Sequence, residues 1–337
     1  MRLAELALVA PAVPRVVALT GACGTGKSSV LNMVSALIGA RSGAAIVSID
    51  AQQHASAQAL MAQLGAELDK LFSELGVLEE REKVRAALVS YSGIVSGLVR
   101  LAGVKVDITG ALARSAESLR ADIARNLEAV GKRLVIVMDH LDYLPPEEIV
   151  GAFAALRMYA AIPYVAIVIA VDRHALATRP AATAIDPRAF ERLVHVELVM
   201  PPADRTVLAR VMAGGLHRVA ARTGRDLEPA LALFDPEDGV GLGLIDTPRD
   251  AKRACNALAA ALPLLPPEAN PYLASLELVL RVLVPEVPEI SAHLAGRARG
   301  AAEADREARF AELAGALARH PRAAAARAAL RALIVGD

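Results

Sequence analysis

The amino-acid sequence predicts an α/β fold, in which a parallel sheet is flanked by helices and followed by a helical C-terminal domain. Three observations lead to this prediction. Short β-branched apolar runs alternate with helical patterns in the first part of the chain, a glycine-rich loop joins the first run to a helix, and the strand pattern stops after Pro202. Alternating strands and helices are typical of a parallel sheet that is covered on both faces.

Five apolar runs are the candidate strands. They are Arg15–Thr20, Ala44–Ile49, Leu134–Met138, Tyr164–Val171 and Val194–Val199. Between the second and third runs, leucines at three- and four-residue steps predict a helical region from about Ser56 to Leu88, and Ala111–Val130 is again amphipathic. The intervening stretch contains several glycines, Gly93 and Gly97 among them, and is predicted to be looser.

We therefore predict two domains. Residues 1–203 form a sheet-based core with a helical insertion at about 56–130, and residues 204–337 form a helical domain that ends in an Ala/Arg-rich tail. Apolar residues from Phe310 to Leu333 form a broken stripe in this tail. The stripe fits either a helical hairpin packed on the domain or a helix that binds a partner.

Composition narrows the classes of partner. Lysine plus arginine equals aspartate plus glutamate, at 37 each, so the chain has no overall basic field to attract nucleic acid. Cys23 and Cys255 lie far apart and form no disulfide framework, which favours a cytoplasmic location. The apolar run Ala86–Val104 contains Arg100 and fits a buried helix better than a spanning one. Peripheral association with a membrane stays open.

A complete G-x-x-x-x-G-K-[ST] motif lies between the first strand and the first long helix. A strand before the motif and a helix after it are the context of a phosphate-binding loop. Backbone N–H groups and the helix N-terminus would bind phosphate oxygens, Lys27 would reach the β- and γ-phosphates, and Ser28 would be a Mg²⁺ ligand. The predicted phosphate-binding residues are Gly21, Ala22, Cys23, Gly24, Thr25, Gly26, Lys27, Ser28 and Ser29.

Asp139 directly follows the third apolar strand, which is the pattern called Walker B. Ligands of open parallel sheets bind at the carboxyl edge, so Asp139 should lie beside the phosphate loop and hold Mg²⁺. Many ATPases place a second carboxylate at the next position, where this chain has His140. We predict Asp142 as the base that positions the attacking water, with His140 as a second candidate. The alternative makes Asp142 a helix or turn cap and His140 a surface residue.

Five segments, in one order, resemble the KAP family of P-loop NTPases. Met138–Ile149 resembles the family's D-D-L-D-R-x-x-P-E-x-[IV] signature, and Ile167–Arg173 resembles its apolar strand that ends in Asp-Arg. Phe190–Pro201 and Leu276–Glu286 resemble later family segments. Thr247–Leu258 resembles the T-P-R-x-x-K-R-x-x-N-x-L helix at the position called sensor 2.

The resemblance implies an additional-strand ATPase, related to the AAA+ and STAND groups, that binds ATP and Mg²⁺. Arg249 would be the sensor 2 arginine that contacts the γ-phosphate, and Asp172 would be a polar group of the sensor 1 type. Arg192 would act in a neighbouring subunit as an arginine finger or be an ordinary helix-end arginine. Such proteins act as nucleotide-dependent switches of conformation or assembly, which implies a protein partner or self-assembly.

The sequence also departs from the family pattern. Cys23 stands where the family has tryptophan in the loop, and a second tryptophan is missing after the second strand. His140 replaces an acid and Tyr143 replaces an arginine. The segment before the first strand is short, which leaves a truncated start open. These changes put efficient hydrolysis in doubt, so a nucleotide-binding scaffold or signalling module with impaired hydrolysis is the alternative.

Two further functions find less support in the sequence. A small-molecule kinase needs an arginine-bearing lid and an acceptor pocket, and neither motif is recognisable. A DNA-associated loader or transposition ATPase is disfavoured by the even charge balance and by the lack of a helix-turn-helix pattern.

Overall fold

A computed structural model of the protein describes residues 2–9, 13, 15–74, 79–101, 110–177, 187–266, 268–284 and 303–334. The chain divides into two compact units, Met1–Pro201 and Pro202–Asp337. Each unit has its own apolar core.

The first unit is built on a parallel sheet with both faces covered, as the sequence predicts. Its strands are β1 (Arg15–Thr20), β2 (Ala44–Asp50), β3 (Arg133–Asp139), β4 (Val165–Val171) and β5 (Val196–Val199). They lie in the order β2-β3-β4-β1-β5, and each neighbouring pair is parallel. β4 is therefore inserted between the strand before the phosphate loop and the strand that ends at Asp139. This strand order confirms the predicted additional-strand fold class.

The register brings the functional strand ends to one edge. Asp50 pairs with Asp139, and Thr20 pairs with Val171. The segments that follow β1, β2, β3 and β4 consequently leave the sheet at the same carboxyl edge, where ligands of such sheets bind.

Helices cover both sheet faces. Those of the first unit are α1 (Arg2–Leu8), α2 (Lys27–Gly39), α3 (Ala57–Glu74), α4 (Glu79–Leu101), α5 (Gly110–Ala129), α6 (Pro146–Tyr159), α7 (Arg173–Ala177) and α8 (Pro187–Leu193). Alternate strand residues face opposite cores: Val17 and Val135 pack with α1 and α2, whereas Val16 and Ile136 pack with α3 to α6. Every residue of β4 is buried, as expected for a central strand.

The insertion between β2 and β3 consists of α3, α4 and α5. The prediction of a looser stretch at Gly93 and Gly97 was wrong, because both glycines lie inside α4. Packing of α4 against α3 and α6 compensates for the low helix propensity of the two glycines. The last residues of the predicted apolar run Ala86–Val104, 102–104, fall outside the described residues. Among the helices that are described, none combines the length and the hydropathy that crossing a bilayer requires.

Buried polar contacts attach the insertion to α6. The Tyr91 hydroxyl donates to the Met158 carbonyl at 2.9 Å, and the Ser92 hydroxyl lies 2.8 Å from that of Tyr159. Burial raises the pKa of Tyr91 to about 12. At the start of α3, the Ala57 N–H donates to the Glu148 carboxylate at 2.8 Å. The insertion is thus fixed to the helix that follows the Asp139 segment.

The second unit is helical. Its helices are α9 (Arg205–Thr223), α10 (Glu228–Leu231), α11 (Pro248–Ala261), α12 (Pro271–Leu283), α13 (Glu303–Ala316) and α14 (Ala323–Ile334). Leu313, Leu317 and Leu330 of the tail are buried in the same core as Met212 and Leu280. The Ala/Arg-rich tail therefore forms a helical hairpin packed on this unit.

Candidate nucleotide site

The loop from Gly21 to Ser28 joins β1 to α2 at the carboxyl edge of the sheet. Gly26 precedes α2 with a φ of 99°, in the left-handed region that favours glycine. A side chain at Gly21 would meet the Met200 side chain at 2.8 Å, so this position also requires glycine. Because Gly26 has no side chain to cap the helix, the first-turn N–H groups of α2 face the loop and can bind an anion.

The Lys27 side chain is buried within the loop. Its ammonium group donates to the Gly21 carbonyl at 2.6 Å and to the Ala22 carbonyl at 3.0 Å. The Thr25 hydroxyl donates to the same Ala22 carbonyl at 2.8 Å. The positive charge is therefore held inside the curve of the loop, where phosphate oxygens would sit in a phosphate-binding loop.

His140 connects the strand ends to the start of α2. Its Nδ1 lies 2.9 Å from Asp50 Oδ1 and 3.7 Å from Asp139 Oδ2, and its Nε2 lies 3.4 Å from Ser28 Oγ. Its backbone is left-handed, with a φ of 57°, and its N–H donates to Asp139 Oδ1 at 2.9 Å. A carboxylate only accepts hydrogen bonds, so the contact with Asp50 places the ring hydrogen on Nδ1 and leaves Nε2 as a hydrogen-bond acceptor.

These side chains line one cavity. It has a volume of about 260 Å³ and is lined by Ser28, Asn32, Ser48, Asp50, Asp139 and His140, among others. Within the described residues, no group of three His, Cys, Asp or Glu side chains could hold a metal ion alone. That is compatible with Mg²⁺, which is usually bound through one or two carboxylates together with substrate phosphates and water. The half-buried Ser28 and Asp139 are hard oxygen donors of the required type.

Asp142 lies in a 3₁₀ turn, Leu141–Tyr143, just after Asp139. Burial raises the pKa of its carboxyl group, whereas a backbone hydrogen bond within Asp142, the charge of Lys27 and a hydrogen bond from the Asp172 backbone oppose that shift. Asp142, Lys27 and Asp172 therefore share one neighbourhood. The N-cap of α6 is Pro145, so Asp142 does not cap that helix. A raised pKa brings a carboxylate closer to the range that suits a general base.

Asp172, at the end of β4, fixes the loop. Its Oδ2 accepts from the Cys23 N–H at 3.0 Å, and its Oδ1 accepts from the Ala175 N–H at 3.0 Å at the start of α7. Both carboxylate oxygens are therefore engaged by backbone groups, and the side chain is buried. Through these two hydrogen bonds Asp172 links the loop to the start of α7.

Two of the departures from the family pattern, Cys23 and Tyr143, contact each other. Cys23 Sγ lies 3.5 Å from the Tyr143 hydroxyl oxygen. The Tyr143 ring also packs edge-on against His140, with ring centroids 5.3 Å apart. Tyr143 therefore bridges the third loop residue and the residue that follows Asp139.

Arg249 lies in the second unit, as the second residue of α11, and its side chain is exposed. Arg192 is also exposed, near the end of α8. The structure thus brings together the loop residues, Asp139, His140 and Asp142, all within the first unit.

Asp50 is a member of this site that the sequence analysis did not identify. Its position gave a usable signal, because it ends the strand beside the one that ends at Asp139. The Tyr143–Cys23 contact had no such signal, since 120 residues separate the two positions.

The sheet order, the loop and Asp139 define the class of protein as a P-loop NTPase of the additional-strand type. Residues 2–265 match the KAP family P-loop domain. The chain belongs to this family.

The chain is also similar to individual proteins. It is 27% identical over 187 residues to the phage T7 exclusion protein of Escherichia coli (strain K12). That match covers 52% of this chain and 25% of the relative, so the chain spans about a quarter of the relative's length.

Solved structures with a related arrangement are distant in sequence. Drosophila ORC bound to DNA has 13% identity and a TM-score of 0.42, with 95% of this chain and 72% of that chain covered. The Aeropyrum pernix ORC1 protein in complex with DNA has 16% identity and a TM-score of 0.39, with 94% and 81% covered. C. elegans PCH-2 has 13% identity and a TM-score of 0.39, with 85% and 68% covered.

Proposed function

We propose that the protein binds ATP with Mg²⁺ in the loop from Gly21 to Ser28 and hydrolyses it slowly. The observation that supports this most strongly is that Lys27 and Ser28 of the loop and Asp139 at the end of β3 lie at the same edge of the sheet. Lys27 would exchange its two loop carbonyls for the β- and γ-phosphate oxygens.

Mg²⁺ would be held by Ser28 and Asp139, and when bound it neutralises charge on the β- and γ-phosphates. Asp142 would orient and deprotonate the attacking water, since burial has raised its pKa and Lys27 lies close to it. Arg249 would be the arginine that contacts the γ-phosphate. Its support is the family match of residues 2–265, which includes α11.

A second candidate function is nucleotide binding with impaired hydrolysis. One observation favours it: His140 occupies the position after Asp139 and is held between Asp50 and Ser28. An imidazole there supplies no second negative charge to polarise water. The protein would then respond to ATP occupancy rather than to turnover.

Phosphate release separates these two functions. Wild-type protein, Lys27→Ala and Asp142→Asn would be compared at saturating ATP–Mg²⁺, after wild-type binding has been established with the fluorescent analogue mant-ATP. Release by the wild type above both variants supports the hydrolase. Equal background release from all three would exclude it and leave the binding scaffold.

The biological role that we propose is a switch whose conformation or assembly follows nucleotide state. The partner would be another protein or further copies of this chain, acting in the cytoplasm or at a membrane surface. Size-exclusion chromatography of the protein with and without ATP–Mg²⁺ tests this role. The same elution position in both conditions would argue against nucleotide-dependent self-assembly.

A further inference from the structure

The His140 ring lies between carboxylates on one side and a hydroxyl on the other. Its Nδ1 is 2.9 Å from Asp50 Oδ1 and 3.7 Å from Asp139 Oδ2, whereas its Nε2 is 3.4 Å from Ser28 Oγ. Carboxylates accept hydrogen bonds and do not donate them, so both neighbours of Nδ1 favour a hydrogen on that nitrogen. In the neutral ring, Nε2 then carries the lone pair that can accept from Ser28.

Several contacts hold the imidazole in this orientation. Asp50 Oδ1 also accepts from the Gln52 N–H at 3.0 Å, which fixes the carboxylate at the end of β2. The His140 N–H donates to Asp139 Oδ1 at 2.9 Å, and the Tyr143 ring packs edge-on against the imidazole. The His140 side chain is only 21% exposed, so its protein neighbours determine which ring nitrogen carries the hydrogen.

The direction of the contact between Ser28 and His140 decides what the Ser28 oxygen can bind. A hydroxyl has one hydrogen and two oxygen lone pairs. When Ser28 donates its hydrogen to Nε2, both lone pairs stay available for a cation. If Nε2 carried the hydrogen instead, the ring would donate to the Ser28 oxygen and occupy one of these lone pairs. Ser28, His140 and Asp139 line the same cavity.

We propose that Asp50 and His140 are positioning residues that orient the Ser28 hydroxyl for Mg²⁺. Asp50 keeps the ring hydrogen on Nδ1, Nε2 accepts from Ser28, and the Ser28 oxygen faces the cation. The inference rests on the proposed binding of ATP with Mg²⁺ and lies wholly within the first unit. It gives His140 a role in metal binding that does not depend on activation of water.

The first test needs neither nucleotide nor metal. The ¹⁵N chemical shifts of the imidazoles in the full chain show which ring nitrogen carries a hydrogen, and loss of a signal in His140→Gln identifies the His140 ring. At alkaline pH we expect the hydrogen on Nδ1 and none on Nε2. Asp50→Ala should move part of the hydrogen to Nε2. A wild-type ring with hydrogen on Nε2 would overturn the inference.

The second test, at the same pH, measures how much Mg²⁺ strengthens mant-ATP binding, as the Kd in EDTA divided by the Kd in Mg²⁺. General loosening of the fold weakens binding in both conditions, whereas a misplaced Mg²⁺ ligand lowers this ratio. Residues that orient metal ligands contribute about tenfold or more to metal affinity. We therefore expect His140→Ala and Asp50→Ala each to lower the ratio about tenfold, without weakening binding in EDTA.

His140→Gln separates positioning from the charge of Asp50. The glutamine amide oxygen can accept from Ser28 in place of Nε2, so the ratio should stay closer to the wild-type value than in His140→Ala. Adding Asp50→Ala to His140→Gln should then have little effect, because Asp50 acts through the ring. Asp50→Asn carries the test if Asp50→Ala does not fold.

His54→Ala is the matched control. His54 follows the turn after β2 and lies outside the described residues that line the cavity, so its loss should leave the ratio unchanged.

The outcomes distinguish this inference from the proposed function. A wild-type protein that does not bind mant-ATP, or binds it equally with and without Mg²⁺, removes the proposed function and the positioning role with it. A ratio that is the same in wild type, His140→Ala and Asp50→Ala leaves the proposed function and removes the positioning role. Equal losses on Asp50→Ala with His140 or with His140→Gln would assign the effect to charge alone and also remove the positioning role.

Discussion

The two halves of the candidate site differ in how closely they follow the rules of their class. The phosphate loop has its required glycines, Lys27 and Ser28, and Lys27 is already folded into it. The segment from Asp139 to Tyr143 keeps the acids Asp139 and Asp142 but has His140 and Tyr143 where the family pattern has an acid and an arginine. From this difference we expect nucleotide binding and nucleotide turnover to depend on separate groups, so that a substitution can weaken one and leave the other.

The largest effect is expected at Lys27. Lys27→Ala removes the cation that we propose to bind the phosphates, and hydrogen bonds to charged groups are each worth about 1.5–3 kcal/mol. We expect mant-ATP affinity to fall by about a hundredfold. Lys132→Ala is the control, since Lys132 lies directly before β3 and donates instead to the Ser42 carbonyl. Equal affinities for the two variants would show that nucleotide binds elsewhere.

The second largest effect, on ATP turnover, is expected at His140. His140→Asp restores the second acid, and Asp50→Asn in the same chain removes the charge that would repel it. We expect turnover to rise about tenfold, because a carboxylate there can polarise water. Asp50→Asn alone serves as the reference and should not be faster than wild type. Unchanged turnover in the double variant would mean that His140 is not the residue that limits the rate of hydrolysis.

A pH-dependent effect on stability is expected at Asp142. Burial raises the pKa of this carboxyl group, so the fold favours its protonated form. The stabilisation that protonated Asp142 gives the fold is complete below the ordinary carboxyl pKa of about 3.9. It is lost as the pH rises through the pKa that Asp142 has in the folded protein. Asp142→Asn should therefore melt at a higher temperature than wild type at neutral pH, with the gap closing on acidification.

Thermal unfolding across this pH range checks the expectation for Asp142. Glu147→Gln controls for the removal of a nearby exposed carboxylate. A lower melting temperature for Asp142→Asn at neutral pH would mean that its ionised form is stabilised in the fold.

The smallest effect is expected at Tyr143, which contacts Cys23 of the loop and His140 of the segment after Asp139. Tyr143→Phe removes the hydroxyl near Cys23 but keeps the ring against His140. Mant-ATP affinity should change by less than about threefold, the scale of one weak hydrogen bond. Tyr143→Ala, which also removes the ring, should change it more. If Tyr143→Phe and Tyr143→Ala changed the affinity equally, the effect of Tyr143 would come from its hydroxyl and not from its ring.

The sequence predicted the fold well because strand burial and loop chemistry are local signals. All five strands appear within two residues of their predicted bounds, and Asp139 ends its strand as expected. Helix continuity through Gly93 and Gly97 was missed, because tertiary packing outweighs the intrinsic cost of glycine. The contacts of His140 with Asp50 and of Tyr143 with Cys23 depend on strand order and register, which no local pattern encodes.

The central claim is that a chain with an intact phosphate loop still hydrolyses ATP slowly through Asp142. A single-turnover experiment, with protein in excess over ATP–Mg²⁺, tests it most directly because it separates chemistry from product release. The account predicts that bound ATP is converted to ADP about a hundredfold faster by wild type than by Asp142→Asn, with equal mant-ATP affinities. Equal single-turnover rates would contradict the role of Asp142.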